Sequence, residues 1–260
     1  MSRSQLIFLI ASLLIFIVLA FVFDTSSSEQ ERIQQMRKAT GSKISVANIE
    51  RRAFADLSPA QKEEMRLLYK EIDEKDSVNV ELYKQIAGKW FNFAAPEMSG
   101  VFAEKVAQIT DTDSSWAIAG STYYLALQNI SKEDRLKDFC LEKAKKCFDN
   151  AISLAPKEMD YKISRAQVEI DFPPEDNPMK GVQLLLSLNR EYPNDPKINL
   201  RLAKLGVQTG QWEKALKRLE KVLELQPQNN EVHCLLSRVY AELDQIQQAS
   251  KFRELCNSKN

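Results

Sequence analysis

The chain has 260 residues, 44% of them apolar and 28% charged, which is enough apolar material to bury a core and is unlike a disordered or collagen-like composition. Lys plus Arg and Asp plus Glu each number 36 and interleave along the sequence, so the charges read as solvated helix faces and exclude the one-sided field that nucleic acid would require. The seven glycines and nine prolines are few, and the prolines fall mostly between periodic apolar stretches, so the folded part is expected to be all-α.

Residues 1–5 form a short tail. Leu6 to Phe23 is an uninterrupted apolar run of 18 residues, eased only by Ala11, Ser12 and Ala20. As a helix it would be about 27 Å long, enough to span a bilayer, and residues 6–23 are read as a transmembrane signal-anchor. A cleaved signal peptide is the rival reading, with Ser26 and Ser28 as a weak cleavage site. Its apolar region is shorter, about 7–15 residues, and ends on small residues, whereas this run ends Phe21-Val22-Phe23. Asp24, Glu29 and Glu31 border the run and favour a domain outside the cytoplasm, the commoner arrangement for a short N-terminal anchor. Arg32, Arg37, Lys38 and Lys43 weigh the other way and keep a cytoplasmic-facing domain open. Residues 24–57 are polar with no long apolar stripe, and are expected to be a linker or stalk.

Ser58 opens the folded domain. A capping serine, Pro59 at the first helical position and Gln61 at the third precede Met65, Leu68, Tyr69 and Ile72 at amphipathic spacing, which predicts an N-terminal helix within 58–80. Beyond it, helices separated by Pro, Asp or Asn repeat one pattern of small and large residues about every 34 residues. In 81–112 the pattern is carried by Ala87, Gly88 and Phe91, with Gly100 and Ala107 behind them and Glu104 at an aromatic position. In 113–156 it is carried by Trp116, Ala119, Gly120 and Tyr123, then by Ala144, Phe148 and Ala151 before Pro156. The interval from Gly120 to Ala144 is twelve residues too long, so the segment around Asn129 to Asp138 must lengthen the helices or form a loop. The 159–193 copy is degenerate, with a helix near Met159 to Ile170 and a second one capped by Asn177 with Pro178 behind it. The clearest copy, 195–227, has Leu202, Ala203 and Gly206, a Gly210-Gln211 turn, then Ala215, Leu219, Val222 and Pro227; 230–257 follows with Leu236, Ser237, Tyr240 and Ala249.

These residues resemble the tetratricopeptide repeat family, whose pattern is W-x2-L-G-x2-Y on the first helix and A-x3-F, a small residue and Pro on the second. The resemblance covers residues 81–257. It implies an α-solenoid of about five helix pairs whose first helices line a groove for a protein or peptide partner. Carried over residue by residue, it places Gln85, Lys89, Asn92, Tyr124, Lys204 and Arg238 in that groove, where Lys204 and Arg238 could pair with a carboxylate. The two-lysine, two-asparagine and arginine set of chaperone-tail-binding members is absent. The architecture is similar to that of bacterial membrane-tethered members, with an anchor in the inner membrane and a periplasmic domain. Such members include periplasmic chaperones and cytochrome c maturation subunits that serve a haem lyase.

Catalysis is not expected. No Gly-rich phosphate loop, GxSxG elbow or paired metal ligands occur, and neither a cofactor nor a small-molecule substrate is called for. His233, the single histidine, reads as a packing residue, and Trp90, Trp116 and Trp212 read as core. Cys140 and Cys147 stand about 10 Å apart along one predicted helix, beyond the roughly 7 Å that a disulfide bridges. Cys234 and Cys256 could bridge the two helices of one pair, but each cysteine reads first as a small buried apolar residue.

Overall fold

The computed structural model describes residues 44–74, 79–131 and 135–257. The apolar run 6–23 and the linker up to residue 43 lie outside the described residues. Among the described residues there are twelve helices and no strand, and no helix is long and apolar enough to cross a membrane.

Helix α1 (Val46–Asp56) occupies the end of the expected linker and corrects that boundary. Its stripe is short but real: Ile49, Ala53 and Leu57 recur four residues apart and are buried. Phe54 stands edge-on to Tyr69 and Trp90, with ring centroids 5.6 and 5.1 Å away. Helix α2 (Pro59–Glu74) starts as its sequence predicts. The Ser58 amide donates to Gln61 Oε1 at 2.9 Å, and the Gln61 amide donates to Ser58 Oγ at 3.4 Å, which is a capping box.

The helices then run in antiparallel pairs, an all-α helical-repeat solenoid: α3 (Val80–Asn92) with α4 (Pro96–Thr110), α5 (Asp113–Leu127) with α6 (Arg135–Leu154), α7 (Met159–Asp171) with α8 (Lys180–Glu191), α9 (Pro196–Gln208) with α10 (Trp212–Leu225), and α11 (Asn230–Glu242) with α12 (Ile246–Asn257). Three pairs share one construction. A side-chain cap, Asn79, Asp195 or Asn229, accepts an amide at the helix start, and fifteen residues later Ala94, Gly210 or Asp244 takes a positive φ of 58, 69 or 57°. The turn closes with the same bond each time, from Ala95 to Trp90, Gln211 to Gly206 and Gln245 to Tyr240, all at 2.8–3.0 Å. This six-to-one bond with a left-handed residue inside it is the Schellman turn, which satisfies helix-end carbonyls and reverses the chain.

Small residues let the helices of a pair approach. A β-carbon on Gly120 would stand 3.2 Å from the Phe148 ring, and one on Gly206 would stand 3.1 Å from Ala215 Cβ. At Gly181 it would meet the backbone nitrogen of Ile170 at 2.5 Å, so α7 and α8 touch main chain to main chain.

The two irregular pairs depart where the sequence does. Between Gly120 and Ala144 part of the excess length is taken up by the 20-residue α6, which begins at Arg135. Asn177 does not cap α8: the Lys180 amide bonds its carbonyl at 3.1 Å in a turn, and the helix begins three residues later. Glu104, at an expected aromatic position, is buried. It accepts the Tyr123 hydroxyl at 2.8 Å and Lys143 Nζ at 2.7 Å, so a charge-assisted network joins α4, α5 and α6 where a ring would have packed.

Candidate functional site

The first helices α5, α7, α9 and α11 touch in succession along one face, whereas α3 does not close on α5 in the same way. Between α3 and α5 lies a groove of about 630 Å³ whose floor is α4. Lys84, Gly88 and Phe91 form the α3 wall, Ile118 and Thr122 stand on the α5 wall, and Ala103 and Val106 lie beneath. Phe91 is 51% exposed and Ile118 is 61% exposed. The reason lies in α5, which carries no charged residue from Ser114 to Leu127, so the side turned away from its packed neighbours is apolar or hydroxylic. A solvated helix face ordinarily carries charge.

The hydroxyls of Thr110, Ser115 and Thr122 along the groove are tied down. Thr110 Oγ1 donates to the Val106 carbonyl at 3.0 Å, Thr122 Oγ1 to the Ile118 carbonyl at 2.8 Å and Ser115 Oγ to the Thr112 carbonyl at 2.8 Å.

The shared turn fixes the register of the first pair. Counting back from Ala94 as from Gly210, the residues equivalent to Leu202, Ala203 and Gly206 are Ile86, Ala87 and Trp90, one position earlier than the sequence pattern suggests. Ile86 and Trp90 are indeed fully buried, while a β-carbon on Gly88 would meet nothing within 4 Å. In this register Lys84, Gly88 and Phe91 face the groove, and Gln85 and Lys89 do not line it. Asn92 still lines the groove, Gln85 faces solvent, and Lys89 pairs with Glu64 of α2.

The other three expected groove residues lie farther along and are engaged within the molecule. The Tyr124 hydroxyl donates to the Asp171 carboxylate across the α5–α7 seam, and Gln167 Nε2 reaches the same oxygen at 2.7 Å. Burial, and then the bond to Asp171, push the Tyr124 phenol up to about 12. Lys204 Nζ lies 2.5 Å from Glu231 Oε1 across the α9–α11 seam, and the Arg238 guanidinium sits 5.9 Å from the Trp212 ring. The structure therefore separates the six into a group near the α3 wall and three seam residues that do not meet one another. Pattern matching took Phe91 for a packing residue of the repeat and did not single out Ile118 or Thr122; the charge-free stretch from Ser114 to Leu127 is the sequence signal that points to these two.

Cys234 and Cys256 are joined in a disulfide between α11 and α12, with Cα atoms 4.9 Å apart, while Cys140 and Cys147 are free and buried. Burial above all pushes the Cys147 thiol up to about 12. His233 Nε2 lies 3.0 Å from the Pro227 carbonyl, in a buried position at the base of α11.

No curated protein matches the chain. Among solved structures, a thermophilic TPR protein of Thermus thermophilus is 17% identical, with a TM-score of 0.47 over 68% of this chain and 88% of that one. PilW, a type IV pilus biogenesis factor, is also 17% identical, with a TM-score of 0.47 over 70% and 78% of the two chains. A MamA fragment from Desulfovibrio magneticus is 19% identical, with a TM-score of 0.45 over 70% and 97%. The family model described as Tetratricopeptide repeat matches residues 180–239 and 207–252, so that the helices from α8 into α12 are similar to that family's repeat.

Proposed function

We propose that this chain is a membrane-tethered scaffold that binds a protein or peptide partner through its first-helix face and catalyses no reaction. The observation that carries the reading is the open groove beside α5, where Phe91 and Ile118 stay exposed on facing walls and only Lys84 among the described lining residues is charged. Contiguous exposed apolar surface of this kind is what partner binding covers. The tether is the apolar run 6–23, and neither a nucleic acid nor a small-molecule substrate is called for. A more specialised reading makes the chain a chaperone or assembly factor outside the cytoplasm, such as a cytochrome c maturation subunit. The Cys234–Cys256 disulfide favours that side of the membrane, because such bonds persist in oxidising compartments.

The test is a photo-crosslinker at Tyr124 or Lys204 of the full-length chain in its own cells, with Lys217 on α10 as the control on a second helix. One discrete adduct from the first-helix positions is the expected result. A smear of many unfolded proteins would favour the chaperone reading, and equal labelling from Lys217 would overturn the choice of face.

A further inference from the structure

We infer that the groove between α3 and α5 takes an amphipathic α-helix of the partner, one that presents an uncharged apolar stripe. The inference rests on the binding reading above and specifies its ligand. Charge comes first. Among the described residues that line the groove only Lys84 is charged, and its Nζ already lies 3.4 Å from Glu81, so an acidic tail finds no unpaired cation there. A stripe of neutral apolar side chains matches a groove of that kind.

Hydrogen bonding then selects the conformation of the ligand. An extended peptide carries main-chain amides and carbonyls that need partners, and burying one unpaired forfeits its bonds to water. The groove walls are helices, whose own main chain is bonded internally. The hydroxyl protons of Thr110, Ser115 and Thr122 are given to carbonyls of the same chain, and Thr112 Oγ1 donates to Ser115 Oγ at 2.9 Å, which leaves few lining side chains, Asn92 among them, to pair an extended main chain. A helix arrives with its main chain already satisfied and asks only for apolar contact. Length agrees as well. The α3 wall from Lys84 to Asn92 and the α5 wall from Ser114 to Thr122 each rise about 12 Å, and a helix stripe at i, i+4 and i+7 spans about 10 Å.

The experiment places a photo-crosslinking benzoylphenylalanine at position 91, 118 or 122 of the full-length chain in its own cells and maps the attachment points on the captured protein by mass spectrometry. The expected result is one partner segment, attached at residues three, four or seven apart, with no charged residue on that stripe. Ile118→Arg should lower the adduct yield from position 91 by roughly tenfold or more, since it would bury an unpaired guanidinium. Gly88→Gln, which fills open space, should do the same without altering the circular dichroism. Attachments two residues apart, or on an acidic chain end, would overturn the inference. So would undiminished yield in both variants. No adduct from 91, 118 or 122 while Tyr124 or Lys204 gives one would overturn it and leave the scaffold reading standing; no adduct from any position would overturn both.

Discussion

Ala94 holds a positive φ that costs an L-residue about 1–2 kcal/mol and costs glycine almost nothing. Gly210 fills the equivalent place between α9 and α10. Ala94→Gly is therefore expected to stabilise the protein by about 1 kcal/mol, read as a higher midpoint in urea; a lower midpoint would mean that the turn is not held as described. Glu169 of α7 makes the opposite case. It is buried, with Arg165 Nη1 2.9 Å and Lys180 Nζ 3.1 Å from one oxygen. Burial alone would raise its pKa, but the bonds from Lys180 and Arg165 outweigh it, and the carboxyl is held below the ordinary glutamate value of 4.5. Its contribution is thus fully present above 4.5 and is lost as pH falls through the lower folded value. Glu169→Gln should cost roughly 3 kcal/mol at neutral pH and flatten the fall in stability below pH 4.5, as followed by denaturation across a pH series. Residue identities were legible wherever one residue type had one use, as at Ser58, Gln61 and Gly206. They failed at Ala87-Gly88, because two adjacent small residues fit the pattern in two registers and only the turn at Ala94 decides between them.

Helix α1 escaped notice because three buried positions are too few to stand out in a polar stretch, although Ile49, Ala53 and Leu57 do keep helical spacing. Helix α8 starts later than Asn177 suggests because the Pro178 turn precedes it and Gly181, not a cap, fixes its closeness to α7. The regular pairs were legible because cap, small residues and turn all agree on one repeat. In the last pair a covalent link is added, which spacing alone left open. The disulfide closes a loop with a sequence separation of 22, for which the chain-entropy account gives about 3 kcal/mol. Replacing both Cys234 and Cys256 by serine should lower the stability of the α11–α12 pair by that amount. Reduction of the unaltered protein should do the same; if neither changes the melting of these helices, the bond is not formed in the folded chain.

Among the described residues the buried side chains fall into more than one cluster. One buried cluster joins α9 to α12 through Ala203, Leu219, Val232 and Phe252, and another joins α7 to α9 through Ala166, Leu185 and Ile198. Each pair leans on its neighbours, so stability is expected to vary along the chain. Leu219→Ala, which empties a fully buried site, should cost about 3 kcal/mol. In hydrogen exchange the loss should appear in α9 to α12 while α4 to α6 keep their protection; a uniform loss would show that the stack opens as one unit.

The bridge between α11 and α12 also decides what a protease can do at that end of the stack. The turn at Leu243 to Gln245 lies between Cys234 and Cys256, so a cut there severs the backbone and leaves the two helices attached. The nicked molecule would keep its helix pair and its migration on a non-reducing gel, and would come apart only when a reductant opened the bond.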